Sequence, residues 1–160
     1  MKRSLVINDI EIDWEGIYSI SHHCRPGICK NDKCCCSSYE ICIDKNELSV
    51  ITGWLPIASR FSPRLQADNG FDNIFDELGP DLFALDTDEK GLCVFAYSHE
   101  GHKILCSLHA AALHMNLPPR QAKPKSCLLW PLAITEGYPV ILSVDDDAFS
   151  FKCNKRRKRD

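Results

Sequence analysis

No stretch of this sequence is apolar for the roughly 20 residues that a membrane-spanning helix needs. The early apolar run Leu5-Val6-Ile7 stops at Asn8-Asp9. Met1-Lys2-Arg3 has the charge of a secretory n-region, but an h-region takes about 7–15 apolar residues, so no export signal is read there. A P-loop, a G-x-S-x-G elbow, an H-E-x-x-H helix and a Gly-rich cofactor loop are all missing. Internal repeats and low-complexity linkers are missing too. The C-x₂-C knuckle is absent, which excludes the common zinc-ribbon, thioredoxin and plant-type ferredoxin patterns. Without export or membrane signals, the expected compartment is the cytosol, where thiols stay reduced.

What the chain does have is cysteine in one place. Ten cysteines in 160 residues are about 6%, below the ~8–10% of a short secreted disulfide scaffold. The hydrophobic fraction of 44% and charged fraction of 26% are those of an ordinary globular protein, and the length suits one domain with its own core. Five of the ten lie in Cys24-Arg-Pro-Gly-Ile-Cys29-Lys-Asn-Asp-Lys-Cys34-Cys35-Cys36. Thiols this close repel one another once ionised, so a cation or a covalent bond must hold them. In a reducing compartment that means a metal or iron–sulfur site.

The spacing is unusual. Cys24 to Cys29 and Cys29 to Cys34 are both C-x₄-C, the outer limit of structural zinc spacing. In extended backbone Cys34 and Cys36 point one way and Cys35 the other. Either the chain turns sharply there, or one thiol is a spectator, or two centres share the loop. Three later cysteines offer completion. Cys106 precedes an expected helix N-terminus, which favours a thiolate. Cys127 ends Lys123-Pro124-Lys125-Ser126-Cys127, whose lysines would offset thiolate charge. Cys93 sits in an expected strand beside the one ending at Cys106.

These segments together carry a resemblance. The order Cys24, Cys29, Cys34-Cys35-Cys36, then Cys93-Val-Phe, then Cys106-Ser-Leu-His109, then Lys123-Pro124-Lys-Ser-Cys127-Leu-Leu-Trp-Pro131 resembles the YkgJ-type cysteine-cluster family over about residues 22–135. The resemblance implies zinc or iron chelation by Cys24, Cys29, Cys34, Cys35, Cys36, Cys93, Cys106 and Cys127, and no particular reaction. A triplet stands where that family has a pair, so the equivalent pair is either Cys34-Cys35 or Cys35-Cys36. Cys42 and Cys153 match nothing. Both a 4Fe–4S cluster and zinc accept four thiolates. The surplus of thiols favours a cluster or two centres, and an all-thiolate cytosolic site suits zinc equally.

The expected fold is a small single α+β domain over 1–153, with about three helices, short β-hairpins and the cysteine-rich loop. Residues 4–20 alternate as one or two strands. Asp44 and Glu47 form a capping box for a helix carrying Leu48, Ile51 and Leu55, limited by Pro56. Phe71, Ile74, Phe75 and Leu78 have helical spacing before Gly79-Pro80. Residues 92–97 and 103–106 read as strands joined at His99-Glu100-Gly101. A helix over about 107–116 follows, with Ser107 as N-cap, and then a hairpin from Leu132 to Val144 turning at Glu136-Gly137.

The remaining candidates are weaker. His22 and His23 precede Cys24 and read as loop histidines. His109 could bond a thiolate from outside the ligand shell. Asp145-Asp146-Asp147 reads as a solvated acidic turn rather than a hard-cation site. The last seven residues carry +4 on a chain of net −3. They read as a disordered tail, 154–160, with nucleic-acid contact as the alternative. The function expected is metal binding with an unassigned role. The alternatives are a structural-zinc adaptor module, or a redox or group-transfer enzyme distantly like flagellin lysine methylases.

Overall fold

In the computed structural model, which describes residues 5–25, 29, 33–66, 74–135 and 137–158, strand β1 (Leu5–Ile7) turns back as β2 (Ile10–Ile12). Asn8 and Asp9 make the turn with φ of 50° and 63°, the left-handed pair that a two-residue hairpin favours. Helix α1 (Trp14–Ser19) follows, then β3 (Ile20–His22). The chain continues through α2 (Cys35–Ser38), β4 (Cys42–Asp44), α3 (Lys45–Ala58), α4 (Pro63–Gln66), β5 (Phe75–Gly79), β6 (Leu82–Leu85), β7 (Ala96–His99) and β8 (Lys103–Cys106). It closes with α5 (Ser107–His114), α6 (Lys125–Leu129), β9 (Leu132–Ile134), β10 (Val140–Val144) and β11 (Asn154–Arg156). The class is α+β, as expected. The described helices number six rather than three, because four of them have only four to six residues, shorter than any window in which periodicity registers. No helix among the described residues is long and apolar enough to cross a membrane.

The chain falls into two compact units, one of residues 1–25 with 129–160 and one of 26–128. In the first, the sheet order is β1-β2-β10-β9, with β10 parallel to β2 and antiparallel to β9. The expected hairpin is therefore present as β9 and β10, with Glu136 outside the described residues. The alternation expected to continue as strand to Ile20 ends at Asp13. Its carboxylate accepts from the Gly16 N–H at 3.0 Å and starts α1, and an N-cap aspartate is a strong stop signal for a strand. The segment expected to be a disordered tail from 154 instead begins as β11, because Asn154, Lys155 and Arg156 pair with His22, Ser21 and Ile20 of β3.

In the second unit β4, β6 and β5 form an antiparallel sheet in that order. The Asp44/Glu47 box forms as expected. The Glu47 N–H donates to Asp44 Oδ1 at 2.8 Å, and the Asp44 N–H donates to Glu47 Oε2 at 3.2 Å. Helix α3 buries Ile51, Leu55 and Ala58 and runs two residues past Pro56. The helix expected across Phe71–Leu78 is not formed where it is described. Phe75–Gly79 is strand β5, with Phe75 opposite Leu85 and Glu77 opposite Phe83. Ile74 and Phe75 still reach the core, but Leu78 is exposed, and cross-strand pairing prevails over local spacing. Phe71 lies outside the described residues.

Strand β7 begins at Ala96 rather than Leu92, because Val94 and Phe95 turn inward and are buried. The β7–β8 turn falls at Glu100-Gly101, with φ of 51° and 75°. The core gathers Ile43, Ile51, Leu65, Ile74, Phe95, Leu108 and Ala112. Cys34 and Cys93 belong to it, and Cys29, Cys36 and Cys106 pack against its edge. Burying a side chain the size of Phe95 is worth about 2–3 kcal/mol, so the cysteine segments sit on the most firmly fixed part of this unit.

Candidate thiolate centre

The cysteine triplet lies at a junction between extended and helical backbone. Cys34 has φ −136° and ψ 162°, and Cys35 opens α2. The chain therefore does turn sharply, and the alternation that would split the three side chains does not apply. Ser37 secures the turn. Its Oγ accepts from the Cys34 N–H at 3.2 Å and from the Cys34 thiol at 3.4 Å, and donates to the Cys34 carbonyl at 3.2 Å.

The three sulfurs share protons. The Cys36 thiol donates to Cys34, whose pKa falls to about 6 against the pull of burial. It also donates to Cys35, whose pKa falls to about 7, again against burial and with help from Lys123. Cys36 is driven strongly upward, first by its bonds to Cys34 and Cys35 and then by burial. Cys34 and Cys35 are thus the more readily ionised members of the triplet, and Cys36 is the one that keeps its proton.

Two further segments bring thiols to the same region. The first is set by Asp88, whose Oδ1 accepts from the Lys90 and Leu92 N–H groups at 2.9 Å each. Gly91 follows with φ 77°, where a Cβ would meet the Ser37 carbonyl at 3.4 Å. The Cys93 N–H then donates to the Cys36 carbonyl at 2.8 Å. Arg64 fixes this turn from outside, donating from Nη1 to the Leu92 carbonyl at 2.9 Å and the Cys93 carbonyl at 3.1 Å. Burial pushes the Cys93 thiol up to about 12, with the charges of Cys106 and Cys127 adding to it.

Cys106 ends β8 opposite Ala96 and is itself the N-cap of α5, the place expected for Ser107. Ser107 sits one position further in, fully buried, and its Oγ has no hydrogen-bond partner among the described residues. Cys127 lies in α6. Burial raises it to about 12, Lys123 pulls the other way, and the Cys106 and Cys35 charges raise it. The segment carrying it is pinned to α3, since the Lys125 N–H donates to Glu47 Oε1 at 2.7 Å. Trp54 Nε1 also donates to the Gln121 carbonyl at 2.9 Å.

Lys123 is the cation among these sulfurs. Burial alone would lower its pKa, but Cys106, Cys127, Cys36 and Cys35 outweigh burial and raise it. Lys125, also expected to offset thiolate charge, is instead directed to Asp44, with Nζ 3.3 Å from Oδ2. His109 stands near Lys123. Partial burial and then the Lys123 charge hold its pKa below the usual range. Burial and the Cys106 charge raise the Tyr97 phenol.

The structure thus gathers Cys34, Cys35, Cys36, Cys93, Cys106 and Cys127 from three separate stretches of chain. Cys29 is half-buried against the same core, while Cys24 is an exposed residue of the other unit. Pro26, Gly27, Asn31 and Asp32, the expected loop formers, lie outside the described residues. Among the described residues, no group of three or more His, Cys, Asp or Glu side chains is already arranged to hold a metal ion. The donor chemistry still fits a soft cation: six thiols, two of them held at or below neutral pKa, with an ammonium to offset their charge.

Other candidates have structural roles. His22 Nδ1 lies 2.6 Å from Asn154 Oδ1, and His23 Nδ1 lies 2.8 Å from the His22 carbonyl. In the acidic run, Asp145 Oδ1 accepts from the Asp147 N–H at 2.9 Å, as in a turn. Sequence reasoning missed Arg64 and Ser37. Arg64 leaves no trace in the sequence, because its partners are carbonyls 28 and 29 residues away. Ser37 had a signal in its three-residue spacing from Cys34, the same spacing that revealed Asp44 and Glu47. Beside the triplet an open cleft of about 260 Å³ is lined by Ser37, Ser38, Tyr39, Glu40, Asp76, Leu85, Thr87 and Gly91.

No family model matches the chain, and no curated protein or solved structure is significantly similar to it.

Proposed function

We propose that this is a metal-binding protein whose thiol centre, Cys34, Cys35, Cys36, Cys93, Cys106 and Cys127, takes up zinc or a 4Fe–4S cluster. The observation that carries the reading is Lys123, an ammonium held among four of these thiols with its pKa raised by them. A half-buried cation is costly unless negative charge faces it, and the groups that raise its pKa against burial are Cys106, Cys127, Cys36 and Cys35. The resemblance to the YkgJ-type cysteine-cluster family supports the same reading. A bound metal would replace the proton that Cys36 now shares with its neighbours, and would join three stretches of chain as a single cross-link. A second reading, in which the centre serves a redox or group-transfer reaction, draws on the polar cleft beside Ser37.

Anaerobic purification, metal analysis and a visible spectrum test the proposal. Stoichiometric zinc in a colourless protein supports the zinc form, and a brown protein that bleaches in air supports the cluster. A folded protein that binds neither when reconstituted overturns the reading.

A further inference from the structure

Lys155, Arg156, Arg157 and Lys158 are four consecutive exposed cations, and the fold orders them. Asn154, just before them, is buried. Its Nδ2 donates to the Ala148 carbonyl at 2.7 Å, and its Oδ1 lies 2.6 Å from His22 Nδ1. Lys155 and Arg156 then pair with Ser21 and Ile20 of β3, and the Arg157 N–H donates to the Ser19 carbonyl at 2.7 Å. Both guanidinium groups are stacked. Arg156 lies 4.1 Å from the Phe149 ring centroid and Arg157 lies 5.2 Å from that of Tyr18. None of the four cations forms an ion pair with a carboxylate among the described residues.

A basic run that served only solubility would need no ordering by the fold. Here its ordering cost is met during folding, and no carboxylate among the described residues pairs with its charge. Adjacent residues of a strand point to opposite faces, so Lys155 and Arg156 leave β11 on opposite sides, and Arg157 and Lys158 follow directly after its last residue. A guanidinium lying on a ring still offers its outer plane and its N–H fork, which suits a base above and a phosphate beside it. Only unstacked bases can reach such planes. We propose that the β3–β11 ribbon binds single-stranded nucleic acid, with Lys155 and Lys158 on phosphates and Arg156 and Arg157 on phosphates and base faces.

The test is fluorescence anisotropy of the full chain with a labelled oligo-dT strand, a duplex of equal length, and vesicles containing phosphatidylserine as competitors. Four phosphate contacts at about 0.7 each predict a slope of log K against log salt near −3, or about 50-fold weaker binding at 200 mM than at 50 mM salt. R156Q/R157Q should bind at least about tenfold more weakly at low salt. K155Q/K158Q leaves both ring contacts intact and should halve the slope. Thermal melts of both variants establish that they are folded. No binding at low salt, unchanged binding in folded variants, or tighter binding to duplex or vesicles than to the single strand would each overturn the proposal.

Discussion

The backbone N–H of Cys93 donates to the carbonyl of Cys36 at 2.8 Å, so two cysteine-bearing segments far apart in sequence are held in register by main chain rather than by sulfur. The two segments are therefore brought together without any bond between their sulfurs. If the thiol centre holds a metal, Cys106→Ser and Cys127→Ser should each sharply reduce the metal retained per chain while leaving the fold intact. Cys42→Ser, at an exposed position of β4, should leave metal content unchanged. Metal analysis of the three variants decides it, and equal loss in all three would refute the assignment.

Lys123 and Lys125 provide an internal control. Lys123 sits among the thiols and Lys125 is turned to Asp44 and Glu47. Lys123→Gln should weaken metal binding by about 10–100-fold, the usual cost of losing a supporting group outside the ligand shell. Lys125→Gln should change it little. Competition with a chromogenic chelator measures both, and indistinguishable variants would remove Lys123 from the site.

The cysteine pKa values set a pH dependence for the reduced, metal-free protein. Cys34 and Cys35 are depressed from 9.0 to about 6 and about 7. Their stabilisation is complete above pH 9.0 and is lost as pH falls through those values. Cys93 and Cys127 are raised from 9.0 to about 12. Their contribution is complete below pH 9.0 and is lost as pH rises towards 12. The cysteine contribution to stability should therefore rise from about pH 6, peak near 9, and fall beyond it. Urea midpoints across this range measure it, and a midpoint that declines between pH 7 and 9 would contradict the shared-proton triplet.

Ser107 has a buried hydroxyl with no partner among the described residues. Leaving such a group unmet costs about 1–3 kcal/mol, and alanine is the better helix former. Ser107→Ala should raise stability by about 1 kcal/mol, seen as a rise in Tm of a few degrees. A loss of stability would mean that an ordered water satisfies the hydroxyl.

The elements legible in the sequence were those whose signals are local. The Asp44/Glu47 box, the Glu100-Gly101 turn and the β9–β10 hairpin each depend on neighbours within a few residues. The failures were cases in which distant partners decided the outcome. Phe75–Gly79 has helical spacing yet pairs with β6, and Asn154–Arg156 looks like a solvated tail yet pairs with β3. For the centre, the sequence singled out eight thiols, of which the structure gathers six, and a lysine in the Lys123–Cys127 segment. It could not reveal that Cys34–Cys36 straddle a strand-to-helix corner, or that Arg64 anchors Cys93 through carbonyls.

The parallel pairing of β2 with β10, Ile10 beside Val140 and Ile12 beside Leu142, fixes an order of events during synthesis. The unit containing it draws on both ends of the chain, whereas the unit with the thiols is continuous from 26 to 128. A ribosome finishes every thiol of the gathered set before it makes β10. If the centre takes a metal, it can do so while β2 still waits for β10, and β1 and β2 spend that interval with an open edge of the kind that invites wrong pairing.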